Sequence, residues 1–280
     1  MTSTPAPSFP DPTWLVGCGN MAGAMVAGWS KAELDLSSVT AIRPSGTPVD
    51  GVHTVTTLPD GSAPAFVMLG FKPQKLDEVA PGLAWRITGA TLVVSLLAGV
   101  EAATLRQRFP AARAIVRAMP NLPVAQRRGV TALYSADGDK ALTEVEALMA
   151  LLGVAPRVAS EEQFSAIGAV AGSGPAYVAR FFAALAAGGE GIGLDPDLAR
   201  LIATETLLGT AAMIAADPIE MTELARRVAS PKGTTEAGLA ILDAPDGLAP
   251  LLARMLAASI ARGRELAEDA SAVDPARRLA

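Results

Sequence analysis

Hydrophobic positions in the first half of the chain fall into short, β-branched runs separated by amphipathic stretches. Trp14-Leu15-Val16 leads into a glycine turn and then a helix from about Met21 to Lys31. Val39 to Ile42, Ala65 to Leu69, Thr91 to Leu96 and Ala114 to Arg117 read as the second to fifth strands, with Val130 to Tyr134 as a sixth. Helical stretches lie between several of them, as at Glu101 to Phe109, and another follows over Lys140 to Leu152. The strands are near-continuous apolar runs, which marks burial on both faces. Strand–helix–strand order at this spacing predicts a parallel sheet with helices packed on its faces.

From about Glu161 the β-runs stop and alanine-rich helices take over. Asp195-Pro196 and Asp217-Pro218 each set a capping acid before a proline at the first helical position. Gly188, Gly189, Gly191 and Gly193 punctuate the end of the preceding helix. Tyr177 to Ala187 and Asp197 to Ala216 are apolar around much of their circumference, so each helix requires burial on more than one side. A subunit interface is expected to supply that burial, the alternative being a compact monomeric helical bundle. The expected fold is α/β, a Rossmann-type doubly wound sheet over residues 14–160 followed by an all-α dimerisation domain over 161–280. Residues 1–13 read as a disordered or extended N-terminus, and the expected assembly is a homodimer or higher homo-oligomer through the C-terminal helices.

Composition narrows the chemistry. The 280 residues are 50% hydrophobic and 18% charged, which excludes intrinsic disorder. A net charge of −5 with no basic block argues against a nucleic-acid partner. One cysteine, Cys18, excludes an intrachain disulfide; with a single histidine, His53, no metal site is expected. His53 reads as a surface residue. The Pro-rich start lacks Lys and Arg and does not resemble a secretory signal. No uninterrupted apolar run reaches the roughly 18 residues of a membrane span, so a cytoplasmic protein without a membrane partner is expected.

Gly17-Cys18-Gly19-Asn20-Met21-Ala22 follows the first strand and opens the first helix, where a G-x-G-x-x-G/A dinucleotide fingerprint belongs. Gly17 permits the tight turn, Gly19 lets a pyrophosphate approach the backbone, and small Ala22 lets helix and strand close up. The helix N-terminus presents unpaired N–H groups to the phosphates. Cys18 reads as a small filler without a redox role. The second strand ends in Ala41-Ile42-Arg43-Pro44-Ser45-Gly46, with no acid to accept from a ribose 2′-hydroxyl. Arg43 and Ser45 suit a 2′-phosphate instead, so NADP is preferred over NAD.

Five further segments, in order, resemble the pyrroline-5-carboxylate reductase family. They are Gly70-Phe71-Lys72-Pro73-Gln74, Val94-Ser95-Leu96-Leu97-Ala98-Gly99-Val100, Arg117-Ala118-Met119-Pro120-Asn121, Gly172-Ser173-Gly174-Pro175-Ala176-Tyr177 and Ser230-Pro231-Lys232-Gly233-Thr234-Thr235. The resemblance runs from about Leu15 to Glu268. It departs in three places. Gly70-Phe71 stands where the family usually has Ala-Val, Ala22 is the third position of the fingerprint, and Lys232 replaces the first glycine of Ser-Pro-Gly-Gly-Thr-Thr. Lys232 adds a charge beside the inferred substrate loop.

The resemblance implies reduction of the C=N bond of 1-pyrroline-5-carboxylate to L-proline with NADPH, the last step of proline synthesis. Gly70, Phe71, Lys72 and Pro73, with Leu96, Leu97 and Ala98, would flank the nicotinamide half of the cofactor. Met119, Asn121, Ser230, Gly233, Thr234 and Thr235 would meet the substrate. Asn121 suits either a substrate contact or a cap on loop backbone. Free N–H groups of Gly233, Thr234 and Thr235 make a cradle for one carboxylate, and the Thr235 hydroxyl is the candidate catalytic group near the imine nitrogen. A protonated imine is already electrophilic, so positioning and charge carry the reaction. The rivals are an imine reductase for another ring, a β-hydroxyacid dehydrogenase and a non-catalytic NADP-binding protein. The second lacks its usual lysine, since none occurs between Glu161 and Pro231.

Overall fold

The computed structural model describes residues 7–217 and 219–271, with side chains through residue 268. The chain divides into two compact units, one reaching to Ser173 and resuming at Ser259, the other Gly174–Ala258.

The first unit is built on eight strands: β1 Thr13–Val16, β2 Val39–Ile42, β3 His53–Val55, β4 Phe66–Leu69, β5 Leu92–Ser95, β6 Ala114–Pro120, β7 Gly129–Tyr134 and β8 Gly153–Val154. Their order across the sheet is β3-β2-β1-β4-β5-β6-β7-β8. Every pairing is parallel except β6 with β7, which is antiparallel. The all-parallel expectation is corrected there. The direct Asn121-to-Gly129 connection contains only a short 3-10 turn, Leu122–Gln126, and is too short for a parallel crossover. Two strands went unread: β3 begins at exposed His53, and β8 has only two residues. Three residues at a sheet edge carry too little alternation to register as a strand.

Successive residues point to opposite faces, so each central strand serves two cores. Leu15, Phe66, Met68, Val94 and Val116 face one layer, with α1 Asn20–Lys31 and α4 Asp139–Ala150 packed upon it. Trp14, Val16, Val67, Leu69 and Val93 face the other, under α2 Leu76–Ala84 and α3 Ala102–Arg108. This two-sided burial is why the strands read as continuous apolar runs. Helix α1 buries Ala22, Met25, Val26 and Trp29, one helical stripe. The Trp29 indole N–H donates to Leu148 O at 2.9 Å and ties α1 to α4. Phe9 stands edge-on to both Trp29 and Phe66, so the stretch ahead of β1 contributes to the core through that residue. Residues 1–6 lie outside the described residues. Pro81 sits inside α2, which hides that helix from a reading of breakers.

A short helix α5, Glu161–Ile167, is capped by Ser160, whose side chain accepts from Gln163 N–H. It runs into a π-helical turn over Gly168–Gly172.

The second unit holds α6 Gly174–Gly191, α7 Pro196–Ala216, α8 Met221–Val228, α9 Thr234–Leu242 and the first part of α10, Leu248–Ser271. Helix α6 runs through Gly188 and Gly189 rather than stopping before them. A Cβ on Gly189 would lie 3.2 Å from Leu194 and 3.4 Å from Ala199, so its use is close approach to the start of α7. Gly193, at φ +100°, makes the actual stop. Asp195 caps α7 as expected, accepting from Asp197 and Leu198 N–H. Asp217 instead closes α7, and α8 starts at Met221; Pro218 lies outside the described residues.

Within this unit the described residues bury only Ala199, Ala203 and Leu224. Phe181, Leu185, Leu201 and Leu208 are all exposed. Such helices have no core of their own in a single copy, which is the signature of a face made for association. By length and composition α7 is also apolar enough to span a membrane, with a mean hydropathy of 1.4 over its best window. A search for uninterrupted apolar runs passes over it because Arg200 and Glu205 interrupt the run.

Candidate active site

The chain leaves β1 toward β2 and β3 on one side, and continues from β4 to β5 and β6 on the other. The reversal puts a crevice at the carboxyl ends of β1 and β4, the place where doubly wound sheets bind ligands. Gly17 N–H donates to Ile42 O at 2.9 Å and Gly70 N–H to Val16 O at 2.8 Å, carrying the ladder into both turns. Gly17 takes φ +79°, and a Cβ there would lie 2.8 Å from Phe71 backbone nitrogen. A Cβ on Gly70 would collide with the Gly17 carbonyl oxygen and stand 3.2 Å from Ala22 Cβ. Gly17, Gly70 and Ala22 are thus packed against one another. Gly19 differs, because a Cβ there meets nothing within 4 Å.

Gly19 is also the N-cap of α1 and offers no side-chain cap to its first turn, which carries no acid. The opening N–H groups therefore face outward and await an acceptor. A cleft of about 550 Å³ opens there, lined by Cys18, Gly19, Asn20 and Arg43 among the predicted residues. These residues fit a dinucleotide phosphate. Met21, Ala22 and Ser45 border the same turns without lining the cleft. Arg43 Nη1 donates to Thr47 O at 2.9 Å, and Ser45 Oγ accepts from Thr47 N–H at 3.3 Å, so both sit in one tight turn. Burial pushes the Cys18 thiol up, by more than the Arg43 charge lowers it. It stays a neutral thiol, a filler. Lys31 and Asp50 also line the cleft and were not singled out by motif. Lys31 is engaged with Ala125 O and Gln126 Oε1, whereas Asp50 has no hydrogen-bond partner among the described residues.

Along the same edge, Gly70–Pro73 follows β4 and Leu96–Ala98 follows β5. Lys72 is exposed and Phe71 rests partly buried on the sheet. The Leu97 side chain is buried in the second core, so only its backbone faces the edge.

Two alternate residues of β6, and Asn121 just after it, grip the segment Glu161–Gly172. Arg117 forms a short ion pair with Glu161 and stacks its guanidinium 4.2 Å over the Phe164 ring. Met119 fills the space left by Gly168, where a Cβ would collide with its sulfur. Asn121 Nδ2 donates to Ala171 O at 2.9 Å, and its Oδ1 accepts from Val130 N–H at 2.8 Å. Of the two uses open to Asn121, the structure displays the backbone cap. Arg117 and Glu161 were missed as a pair. Sequence offered only a buried cation in the motif, 44 residues from its partner.

In the second unit, Ser230 to Gly233 is a turn closed by Gly233 N–H donating to Ser230 O at 2.9 Å. The predicted cradle is corrected here, since the Gly233 N–H is already engaged. Lys232 N–H donates to Glu236 Oε2 at 2.6 Å. The N-cap Gly233 again offers no side chain, so the N–H groups of Thr234 and Thr235 are the outward ones. Lys232 stands at φ +60°, the left-handed region where its resembled family has glycine. Thr235 lines a groove of about 500 Å³ with Phe181, Leu185, Leu239 and Leu242, and is its one polar side chain. The Ser230–Thr234 turn is exposed rather than closed inside the bundle, with Gly233 half-buried.

A doubly wound sheet covered by helices on both faces, with an uncapped glycine turn at its switch point, defines a Rossmann-type dinucleotide-binding class. The helical part, residues 161–266, matches the family model for pyrroline-5-carboxylate reductase dimerisation. A pyrroline-5-carboxylate reductase of Pseudomonas aeruginosa is 33% identical over 277 residues, covering 95% of this chain and 98% of that protein. The solved pyrroline-5-carboxylate reductase of Coxiella burnetii superposes with a TM-score of 0.83 at 32% identity, covering 91% of this chain and 98% of that one. A pyrroline carboxylate reductase of Plasmodium falciparum, solved with NADP bound, shares the fold at a TM-score of 0.79 and 19% identity, covering 93% and 99%. The chain belongs to the pyrroline-5-carboxylate reductase family.

Proposed function

We propose that this chain reduces the C=N bond of 1-pyrroline-5-carboxylate to L-proline, with NADPH in preference to NADH. The observation that carries the reading is an intact, uncapped fingerprint at the switch point of a chain that is family member over 95% of its length. Gly17–Ala22 would hold the pyrophosphate, Arg43 and Ser45 the 2′-phosphate, and Gly70–Pro73 with Leu96–Ala98 the nicotinamide end. When bound, NADPH supplies a hydride.

The protein's own residues do the rest. The N–H groups of Thr234 and Thr235, at the positive end of α9, receive the substrate carboxylate. Phe181, Leu185 and Leu239 offer an apolar wall beside Thr235, suited to one face of a small ring. The Thr235 hydroxyl orients the imine nitrogen and holds a proton beside it. Fixing the ring and neutralising its acid group is catalysis by proximity and charge, which requires no histidine. The assembly is a homodimer or larger, through helices that one copy leaves exposed.

One observation favours a second reading of cofactor choice. Asp50 lines the cleft beside Arg43 and could accept from an unphosphorylated ribose, which would admit NADH. Oxidation of NADPH and of NADH is followed with pyrroline-5-carboxylate, its six-membered analogue and, in reverse, a 3-hydroxy acid. Preference for the five-membered imine supports the proposal; turnover of the 3-hydroxy acid alone would overturn it.

A further inference from the structure

Helix α3 starts directly after the Leu96–Glu101 loop, and its N-cap Glu101 provides no side-chain cap. The missing cap comes from 59 residues away. Glu161 Oε1 accepts from Ala102 N–H at 2.8 Å, while its other oxygen pairs with Arg117. Arg117 is 4% exposed, and its Nε has no partner, so the guanidinium is committed to Glu161 on one side and the Phe164 ring on the other. One carboxylate thus joins β6, the loop after β5 and the head of α5. The same loop is braced once more at Gly99, where a Cβ would lie 3.1 Å from the Leu266 backbone.

We infer that Glu161, held by Arg117, is a positioning residue: it sets the loop Leu96–Glu101 against β6 at the cofactor edge. The inference rests on the cofactor reading above. A loop pinned at its end by a charge-assisted bond is preorganised, and a ligand that leans on it loses less in ordering it. Met119 in β6 and Asn121 just past its end hold the continuation of α5, so the carboxylate fixes the first of three successive grips.

The test uses the full chain and two readouts, NADPH affinity by fluorescence titration and thermal midpoint. Glu161→Ala removes both bonds and is expected to weaken NADPH at least fivefold. Glu161→Gln keeps an oxygen for the Ala102 N–H and recovers most of that affinity. The pair Arg117→Met with Glu161→Gln leaves no buried charge unpaired, so it melts higher than Arg117→Met alone yet still binds NADPH more weakly than the native chain. A purely structural role would lower the midpoint of every variant and leave the affinity of the folded protein unchanged. Equal affinities for native and Glu161→Ala, or Glu161→Gln no better than Glu161→Ala, overturns the inference. Should Glu161→Ala not fold, the Gln and Met variants decide by the same affinities. Native protein that binds NADPH but leaves pyrroline-5-carboxylate unreduced would overturn the proposed function and leave this comparison intact.

Discussion

Gly19→Ala separates cofactor binding from folding more cleanly than any other change in the fingerprint. Gly19 has φ −84° and ψ −158°, an extended conformation that alanine adopts without strain. Its added methyl group meets no protein atom within 4 Å. Folding therefore loses nothing, and the smaller entropy of the unfolded chain stabilises the variant by about 0.4–1 kcal/mol. For a chain of this size that is a rise of about 1–4 °C in Tm. The empty space is where the pyrophosphate is proposed to sit, so the methyl is expected to intrude on the ligand instead. Overpacking of one methyl group costs about 1–3 kcal/mol, or roughly 5- to 150-fold in the Kd for NADPH. Gly70→Ala is the counterpart. Its methyl collides with the Gly17 carbonyl, so Tm and NADPH affinity both fall. Thermal melts and fluorescence titrations on the two variants give the comparison. A Gly19→Ala protein with NADPH affinity within twofold of the native value would refute the assignment of this turn to the pyrophosphate.

Four other outcomes are expected. Thr235→Ala lowers kcat for pyrroline-5-carboxylate by more than tenfold, and a fall of less than twofold in steady-state rates removes its hydroxyl from the mechanism. Arg43→Ala weakens NADPH at least fivefold and leaves NADH unchanged, with Asp50→Ala affecting only NADH; parallel titrations distinguish the two. Lys232→Gly relieves a left-handed conformation worth about 1 kcal/mol, raising Tm by about 2–4 °C in a calorimetric scan, and an unchanged or lower Tm contradicts that account. Arg86→Ala strips the donors from Pro59, Gly61 and Ser62 carbonyls and the cation between Trp14 and Trp85, a loss of about 2–3 kcal/mol. Its Tm should fall by about 5–10 °C, and a drop below 2 °C would show those contacts to be idle.

Much of this organisation is legible in local pattern. The strand Val39–Ile42 is legible to the residue, and α1, α4 and α7 to within one or two, because burial on a fixed face imposes a period on the chain. The fingerprint was legible because a glycine turn between strand and helix leaves few alternatives. Other features depend on partners far along the chain. Nothing in Gly129–Tyr134 states that it runs antiparallel to β6, and nothing in Glu161 states that it caps a helix 59 residues earlier.

The amino-acid order alone determined which segments form layers, where a phosphate can approach the backbone, and which family the motifs resemble. These follow from short-range sterics and hydrophobic period, which act over a few residues at a time. Tertiary structure decided which polar groups stay available. Asn121 is given to backbone and the Gly233 N–H to its own turn, whereas Thr235 and the start of α1 remain open. A side chain's hydrogen-bonding capacity is consumed by whatever the fold brings within about 3 Å, and that neighbour is set by the packing of the whole chain.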